Sequence, residues 1–230
     1  MAKTRSRWNA IVISGGRASR LGGINKTALR YRGRSLLDLA LDAVEGAESV
    51  ALVGDVNGVT GRPNVAATIW EDPRFGGPVP AIDTGLLVLG EEFPPEWTVV
   101  LAADLVRAPE ALTLVLAARS AADRAVARST SVSPPGTDGV IAVDDDGRRQ
   151  PLLAAYRTRS LERAVARLRR DGRLPGRSLR ELLAEMSLRD VAVPSELCRD
   201  VDTPDDAAEL GIRLDSTPQH DTDGSQGENS

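Results

Sequence analysis

Short apolar runs alternate with amphipathic stretches along the first half of the chain. The runs that predict buried strands are residues 9–14, 49–53, 67–70 and 98–102. Apolar residues recur at helical spacing over 35–44, 81–89 and 109–122, and Ser35 is a candidate N-cap of the first of these helices. Strands that alternate with helices predict a mostly parallel sheet covered by helices on both faces, a three-layer α/β/α fold of Rossmann-like type.

The second half continues less regularly. Strands are predicted at 123–128, 139–143, 151–156 and 190–193, and helices at 159–170, 179–185 and 204–210. Between two of these strands, Asp144-Asp145-Asp146-Gly147 could be taken for a metal cluster, but it is more typical of a hairpin turn. The predicted domain therefore spans residues 8–213 and holds a mixed, mostly parallel sheet. Residues 214–230 are polar and rich in Gly, Ser and Asp, which predicts a disordered tail.

Ligands of open parallel sheets bind beyond the carboxyl ends of the strands. Three polar features follow predicted strands at that edge. They are the glycine-rich loop after Ser14, the pair Glu71-Asp72, and Asp104.

The scarcity of two residue types limits the chemistry. The chain has one cysteine, Cys198, and one histidine, His220, which lies in the polar tail. An internal disulfide and a Cys-rich zinc site are excluded, and Ser–His or Cys–His catalysis is not expected. Carboxylates, hydroxyls, backbone amides, Lys and Arg remain, and the metal that suits such ligands is a hard ion such as Mg²⁺.

Charge and hydropathy exclude two further classes of partner. The formal net charge is −4 and aromatic residues make up 3% of the chain, so neither nucleic-acid binding nor a base-stacking platform is expected. No apolar run approaches the roughly 20 residues that a membrane helix requires. The basic start is not followed by a long apolar stretch, so no secretory signal is predicted and a cytoplasmic location is expected.

The loop at residues 14–27 reads Ser-Gly-Gly-Arg-Ala-Ser-Arg-Leu-Gly-Gly-Ile-Asn-Lys-Thr. Glycines after a buried strand let backbone N–H groups face an anion, and Arg17, Arg20 and Lys26 add positive charge, which together suit a triphosphate better than an ordinary βα turn. Lys3 and Lys26 are the only lysines among 29 basic residues, so a role for a compact ammonium at Lys26 is indicated. The loop fits neither the dinucleotide fingerprint nor the P-loop, in which Asn25 would have to be glycine.

The loop resembles the signature of sugar-phosphate and cofactor nucleotidyltransferases, Leu-Ala-Gly-Gly-x-Ser/Ala-x-Arg-Met/Leu-Gly followed by Lys. Within that superfamily the chain most resembles the molybdenum cofactor guanylyltransferases, the MobA-like NTP transferases. Four later segments match that family in order. They are Asp72–Pro78, Ala102–Asp104, Gln150–Arg157 and Asp200–Asp206, so the resemblance runs from about residue 10 to residue 210.

The resemblance implies a nucleotidyltransferase that moves GMP from GTP to a phosphorylated small molecule, with molybdopterin as the expected acceptor and Mg²⁺ as cofactor. It is also compatible with contact with the proteins that mature molybdoenzymes. The expected catalytic residues are Lys26, Arg20 and Asp104, and the expected metal ligands are Asp104 and Asp202. The expected nucleotide-binding residues are Ile13, Ser14, Gly15, Gly16, Arg17, Lys26, Asp72 and Asp104.

Other interpretations of these residues stay open at this point. Asp104 and Asp72 also suit turns, and Asp202 also suits the N-cap of the helix that starts at Pro204. The chain departs from the family where Gly54, Pro80-Ala81 and Leu105-Val106 replace more common residues.

Two other functions are compatible with the same residues. One is a sister enzyme, either a cytidylyltransferase on molybdopterin or a guanylyltransferase on another phosphate such as phospholactate. The other is a non-catalytic homologue that binds a nucleotide and regulates or scaffolds.

Overall fold

A computed structural model describes residues 7–15, 26–54, 62–90, 94–128, 136–201 and 203–212. The strands in these ranges are β1 (Trp8–Ser14), β2 (Arg30–Tyr31), β3 (Arg34–Ser35), β4 (Val50–Gly54), β5 (Val65–Ile69), β6 (Trp97–Ala102), β7 (Gly139–Val143), β8 (Arg149–Arg157) and β9 (Leu188–Ala192). The helices are α1 (Leu36–Ala43), α2 (Pro78–Val88), α3 (Ala108–Arg128), α4 (Thr158–Arg170), α5 (Leu179–Leu183) and α6 (Pro204–Glu209). Short 3-10 helices cover Lys26–Ala28 and Ser195–Leu197.

Seven strands form one sheet in the order β5-β4-β1-β6-β8-β7-β9, and β2 pairs with β3 in a separate small hairpin. All neighbours in the large sheet are parallel except where β8 runs antiparallel to β6 and β7. The central strands β1 and β4 are buried along their whole length, as expected of a sheet with helices on both faces. The mostly parallel mixed sheet predicted from the sequence is confirmed.

Two hydrophobic cores lie on opposite faces of the sheet. Alternate residues of β1 separate the cores, because successive side chains of a strand point to opposite faces. Ala10 and Val12 pack with α1 and α3, whereas Ile11 and Ile13 pack with α2 and α4. The result is the predicted three-layer α/β/α architecture.

The order of the strands creates a crevice beside β1. After β1 the chain moves outward to β4 and β5, and it then crosses to β6 on the other side of β1. The connections on the two sides of β1 therefore lead away in opposite directions. Such a switch point is where open α/β sheets bind their ligands, beyond the carboxyl ends of the strands.

A third, smaller core closes this edge of the sheet. It joins Leu29 and Leu36, which flank the hairpin β2–β3, to Val106 after β6 and to Val201, Ala207 and Ile212 near α6. The segment that ends at Ile212 thereby packs onto the chain that follows Lys26. The predicted tail at 214–230 lies outside the described residues.

Local signals set the ends of several elements as predicted. The side chain of Ser35 accepts a hydrogen bond from the backbone N–H of Asp38 at 3.0 Å and caps α1. Asp144 starts the hairpin between β7 and β8, where its Oδ1 accepts bonds from the N–H groups of Asp146 and Arg148. The hairpin interpretation of the three aspartates is therefore confirmed.

The strand predicted at 123–128 is wrong, because these residues continue α3. The segment holds Arg and Ala, which favour helix, and no glycine or proline interrupts the chain after Pro109. The side chain of Asp123 also meets partners at its helical position: its Oδ1 accepts from Nε1 of Trp97 at 3.0 Å and lies 3.2 Å from Arg157. Tertiary contacts at the far end of the sheet thus stabilise the longer helix.

Helix α2 begins three residues earlier than predicted, at Pro78 instead of Ala81. Proline is compatible with the first turn of a helix because the N–H groups of that turn have no partner within the helix.

Within the described ranges, no helix combines the length and the hydropathy needed to cross a membrane.

Gly85 lets α2 approach β1 closely. A Cβ built on Gly85 would lie 2.6, 2.8 and 2.9 Å from three side-chain carbons of the fully buried Ile11. We predict that Gly85→Ala lowers the free energy of unfolding by about 1–3 kcal/mol, the usual scale of overpacking. This loss exceeds the gain of about 1 kcal/mol that alanine brings inside a helix. Chemical denaturation measures the change.

The exposed Leu87 on the same helix provides the control. Leu87→Ala should change stability by less than about 0.5 kcal/mol. Adding Ile11→Ala to Gly85→Ala should cost less than the two single changes together, because the smaller side chain removes the clash. A Gly85→Ala protein more stable than the parent would contradict the close approach.

Candidate functional site

The carboxyl ends of β1 and β4 meet at two glycines. Ser14 is 1% exposed, and Gly15 follows it at the sheet edge. Gly54 has a φ of +117°, and a Cβ at this position would lie 2.0 Å from the carbonyl oxygen of Ser14. This contact explains why a residue with a Cβ does not fit at position 54 of this chain. It also lets Gly15 lie close to the end of β4, where a Cβ on Gly15 would be 3.9 Å from the Cα of Gly54.

Three of the predicted nucleotide-binding residues, Ile13, Ser14 and Gly15, are therefore at the switch point. The glycine-rich loop beyond them is predicted to hold phosphate through Gly16, Arg17 and Arg20. These residues lie outside the described ranges, so their roles stay predictions.

A pocket of about 240 Å³ opens beside Gly15. Its walls come from the end of β1, the turn between β5 and α2, and the start of α2, and they include Ile13, Gly15, Glu71, Phe75, Gly77 and Ala81. The pocket has the position expected of a nucleotide base at the edge of such a sheet.

The turn at Glu71–Gly77 shapes this pocket. Glu71 is buried, and its Oε1 accepts a hydrogen bond from the backbone N–H of Phe75 at 2.9 Å. Phe75 has a φ of +62° and is 51% exposed, with its ring edge-on to Trp70 at a centroid distance of 6.0 Å. The turn therefore presents an aromatic ring to the pocket. Asp72 is exposed, and the acidic residue in the pocket wall is its neighbour Glu71.

Lys26 begins the short 3-10 helix Lys26–Ala28, where its carbonyl accepts from the N–H of Leu29 at 3.1 Å. The N–H of Leu36 in turn donates to the carbonyl of Leu29 at 2.9 Å, and both leucines belong to the third core. The backbone that carries Lys26 is therefore anchored to buried residues, while its side chain is partly exposed.

Asp104 stands in the turn after β6, next to the end of β1. The N–H of Ala103 donates to the carbonyl of Ile13 at 2.9 Å, so the parallel pairing of the two strands continues to the residue before Asp104. Asp104 is partly exposed and lines a second cavity. The structure thus brings Asp104 to the same sheet edge as Ser14 and Gly15.

The two residues after Asp104 explain a departure from the family. The N–H of Val106 donates to the carbonyl of Arg199 at 3.1 Å, a bond that the proline common at this position could not make. Leu105 forms an antiparallel bridge with Asp200. The change therefore attaches the segment before α6 to the end of β6.

The second predicted metal ligand, Asp202, lies outside the described residues. Its alternative role as an N-cap is wrong, because Thr203 caps α6 instead. The Thr203 side chain accepts from the N–H of Asp206, and the Asp206 carboxylate accepts from the N–H of Thr203 at 2.7 Å.

The second cavity has a volume of about 450 Å³. We call it the acidic–basic cleft; its walls are the end of β6 with Asp104, the hairpin β7–β8 with Asp146 and Arg148, and the segment before α6 with Arg199 and Asp200. Leu152 of β8 lines both this cleft and the 240 Å³ pocket. The two cavities therefore adjoin along one side chain at the carboxyl edge of the sheet.

The donor set fits Mg²⁺ bound together with a phosphate ligand. Within the described ranges no three Asp, Glu, His or Cys side chains gather as a metal site. Mg²⁺ is usually bound through one or two carboxylates plus substrate phosphates and water, and it keeps oxygen ligands. The partly exposed carboxylate of Asp104 beside the cleft suits that arrangement.

The Cys198 thiol and the Tyr156 hydroxyl are unsuited to act as nucleophiles or bases at neutral pH. Burial, together with Asp144 and Asp145, raises the pKa of the Cys198 thiol to about 11, so it stays protonated at neutral pH. Tyr156, part of the segment that matches the family, is fully buried and donates its hydroxyl to the carbonyl of Pro151 at 2.8 Å. Its pKa is raised by desolvation, so the tyrosine stabilises the bend of β8 as a neutral residue.

Sequence reasoning did not assign roles to three residues of the cavity walls. Glu71 follows a predicted strand, but only the fold shows that it, and not Asp72, enters the pocket. Phe75 follows a proline-containing turn and carries no periodic signal. Arg148 was one of many arginines that composition alone could not distinguish.

Comparisons with known proteins agree with this geometry. Residues 10–191 match the family model of the MobA-like NTP transferase domain. A molybdenum cofactor guanylyltransferase of Albidiferax ferrireducens is 26% identical over 167 residues, which cover 71% of this chain and 75% of that protein. One of Methylibium petroleiphilum is 27% identical over 169 residues, covering 71% and 77%.

Solved structures share the fold. Rv0371c from Mycobacterium tuberculosis has a TM-score of 0.64 at 21% identity, covering 92% of this chain and all of that one. The 2-C-methyl-D-erythritol 4-phosphate cytidylyltransferase of Francisella tularensis has a TM-score of 0.62 at 13% identity, covering 90% and 99%. The molybdopterin-guanine dinucleotide biosynthesis protein A of Archaeoglobus fulgidus has a TM-score of 0.57 at 20% identity, covering 88% and 96%.

The exposed ring of Phe75 generates a prediction about the 240 Å³ pocket. If a base occupies the pocket, Phe75→Ala should weaken the affinity for the preferred nucleoside triphosphate by roughly 5- to 100-fold, the range of one base–aromatic contact. Titration calorimetry measures the dissociation constant. Leu87→Ala, which also removes an exposed apolar side chain, should leave it unchanged. Equal affinity of the Phe75→Ala protein and the parent would place the base elsewhere.

Proposed function

Because the chain belongs to the MobA-like NTP transferase domain family of nucleotidyltransferases, we propose that it transfers GMP from GTP to a phosphorylated small molecule, with molybdopterin as the first candidate acceptor. One observation carries the proposal. Two adjoining cavities share Leu152 at the carboxyl edge of the sheet, one beside Gly15 after β1 and the other beside Asp104. Transfer between two substrates requires two such adjacent sites.

The 240 Å³ pocket would hold the donor nucleotide. The base would enter between Ile13, Glu71 and Phe75, and the triphosphate would follow the backbone from Gly15 into the loop of Gly16, Arg17 and Arg20. Lys26 would place its ammonium against the phosphate oxygens from the anchored end of that loop. Asp72, at the rim, would contact the nucleotide from outside the pocket.

The reaction forms one bond and breaks one. An oxygen of the acceptor phosphate attacks the α-phosphorus, the bond between that phosphorus and the bridging oxygen breaks, and its electron pair leaves with pyrophosphate. Charge grows on phosphate oxygens, so placement and fixed positive charge supply most of the rate. Lys26 and the loop arginines would provide that charge.

Asp104 would hold Mg²⁺, with Asp202 as the second candidate ligand. When bound, the ion would neutralise charge on the phosphates. Asp104 suits this role because it lines the acidic–basic cleft at the same sheet edge as Gly15.

The choice of guanine follows the names of the relatives, since both curated relatives are molybdenum cofactor guanylyltransferases. A cytidylyltransferase shares the fold at 13% identity, so cytosine is the competing base. We further propose that the protein acts in the cytoplasm and hands its product to molybdoenzyme maturation proteins.

Removal of the loop ammonium should impair turnover. Lys26→Ala is expected to lower kcat at least ~100-fold, the scale of one preorganised electrostatic donor. Lys26→Arg should not restore the rate, because a planar guanidinium cannot occupy the position of a compact ammonium. The rate of pyrophosphate release measures both. Arg30→Ala is the control, since Arg30 is exposed and donates to the carbonyl of Gly33 at 2.8 Å within the hairpin β2–β3. A fully active Lys26→Arg protein would show that any cation suffices.

A thermal-shift panel tests the nucleotide and the metal together. GTP with Mg²⁺ should raise the melting temperature more than CTP, ATP or UTP, because tighter binding to the native state stabilises it more. Asp104→Asn should fold normally but lose the additional shift that Mg²⁺ produces with GTP. A larger shift with CTP would assign the protein to the cytidylyl branch. A full Mg²⁺ response in Asp104→Asn would move the metal to other ligands, with Asp202 tested next.

A further inference from the structure

The walls of the acidic–basic cleft are tied together. Asp145 and Ser195 form a reciprocal pair: the N–H of Asp145 donates to Oγ of Ser195 at 3.0 Å, and the N–H of Ser195 donates to Oδ2 of Asp145 at 2.8 Å. The N–H of Val193 donates to the carbonyl of Val143 at 2.9 Å. Together with the bridge between Leu105 and Asp200, these bonds join all three walls. The cleft is therefore preformed by hydrogen bonds from backbone N–H groups, two of which are accepted by the side chains of Asp145 and Ser195.

The carboxylate of Asp144, the first aspartate of the hairpin, accepts its hydrogen bonds from groups of the hairpin itself. Oδ1 of Asp144 accepts from the N–H groups of Asp146 and Arg148, and Oδ2 accepts from Nε2 of Gln150 at 3.0 Å. Asp144 thus stabilises the turn and fixes the backbone of Arg148. The side chain of Arg148 therefore extends from a backbone that is held in place at the rim of the cleft.

Two neighbouring arginines on this hairpin have different surroundings. Arg149 forms an ion pair with Asp190 of β9 at 2.8 Å. In the described part of the chain, no ion pair or hydrogen bond involves the guanidinium of Arg148, which lines the cleft. The other arginine of the cleft, Arg199, is paired with Glu209 at 2.5 Å. Arg148 is therefore the cation that the cleft offers to a ligand.

We propose that Arg148 binds the phosphate of the acceptor and holds it beside Asp104. This inference rests on the proposed nucleotidyl transfer, because that reaction brings two negatively charged phosphates together. A guanidinium can donate hydrogen bonds to two oxygens of one phosphate. Its positive charge also offsets the repulsion between the donor and acceptor phosphates. A volume of about 450 Å³ suits a small molecule and not a polymer.

The carboxylates in the cleft indicate what the remainder of the acceptor is like. Asp146 and Asp200 face the same space as Arg148. They would repel a second carboxylate on the acceptor, and they would accept hydrogen bonds from its N–H or O–H groups. The acceptor class is therefore a phosphomonoester that carries hydrogen-bond donors and no carboxylate. Molybdopterin, whose pterin carries N–H groups, fits this class, whereas phospholactate, with its additional carboxylate, does not.

Kinetics with two acceptors provide the first test. Arg148→Ala should raise the KM for molybdopterin at least ~10-fold, the scale of losing a charge-assisted hydrogen bond. The dissociation constant of GTP should stay unchanged. Arg149→Ala, the matched control, should behave as the parent, and phospholactate should be the poorer acceptor for all three proteins. An unchanged KM in Arg148→Ala, or an equal loss of GTP affinity, would overturn the proposal.

A binding experiment separates this inference from the proposed reaction. Calorimetry follows phenyl phosphate binding to the protein loaded with Mg²⁺ and a GTP analogue that resists transfer. The parent and Arg149→Ala should bind the probe alike, and Arg148→Ala at least ~10-fold more weakly. Equal binding by all three, or none by the parent, would refute the role of Arg148. Binding that depends on Arg148 in a protein that releases no pyrophosphate would refute only the transferase activity.

Discussion

The parallel pairing of β1 with β6 is the constraint on which the site depends. Ile13 lies opposite Ala102, and the N–H of Ala103 continues the ladder to the carbonyl of Ile13. Because parallel strands end at the same edge, this register places Gly15 after β1 and Asp104 after β6 at the same edge of the sheet. A shift of one residue would move every side chain of a strand to the other face and break both buried cores.

The second half of the chain builds the other wall of the site. β8 runs antiparallel between β6 and β7, so its start and the hairpin before it lie at the edge where the parallel strands end. The bonds from Val106 to Arg199 and from Ser195 to Asp145 then connect this hairpin with the end of β6. The Asp145 carboxylate serves as a structural partner in the second of these bonds, whereas the guanidinium of Arg148 takes part in neither.

The opposite end of the sheet is held by buried charge. Arg157 lies 4.0 Å above the ring of Trp97 and forms ion pairs with Asp123 and Glu96. Arg119 is 6% exposed, and burial lowers its pKa. Removing one partner of such a pair is costly because it leaves the other charge unpaired, so the contacts of Asp123 favour the long form of α3.

The sequence by itself determined the strands of the sheet, the caps such as Ser35, the hairpin at Asp144 and the arrival of Gly15 and Asp104 at one edge. These features depend on periodicity and on local hydrogen bonds, which neighbouring residues specify. Only the tertiary structure decided that 123–128 are helical, that Glu71 and not Asp72 enters the pocket, and that Arg148 faces the cleft while Arg149 is paired. Each of these outcomes depends on contacts between residues that are distant along the chain. Arg148 and Arg149 are adjacent arginines that the sequence alone does not tell apart. They differ because Asp190 on β9 forms an ion pair with Arg149, whereas Arg148 lines the cleft.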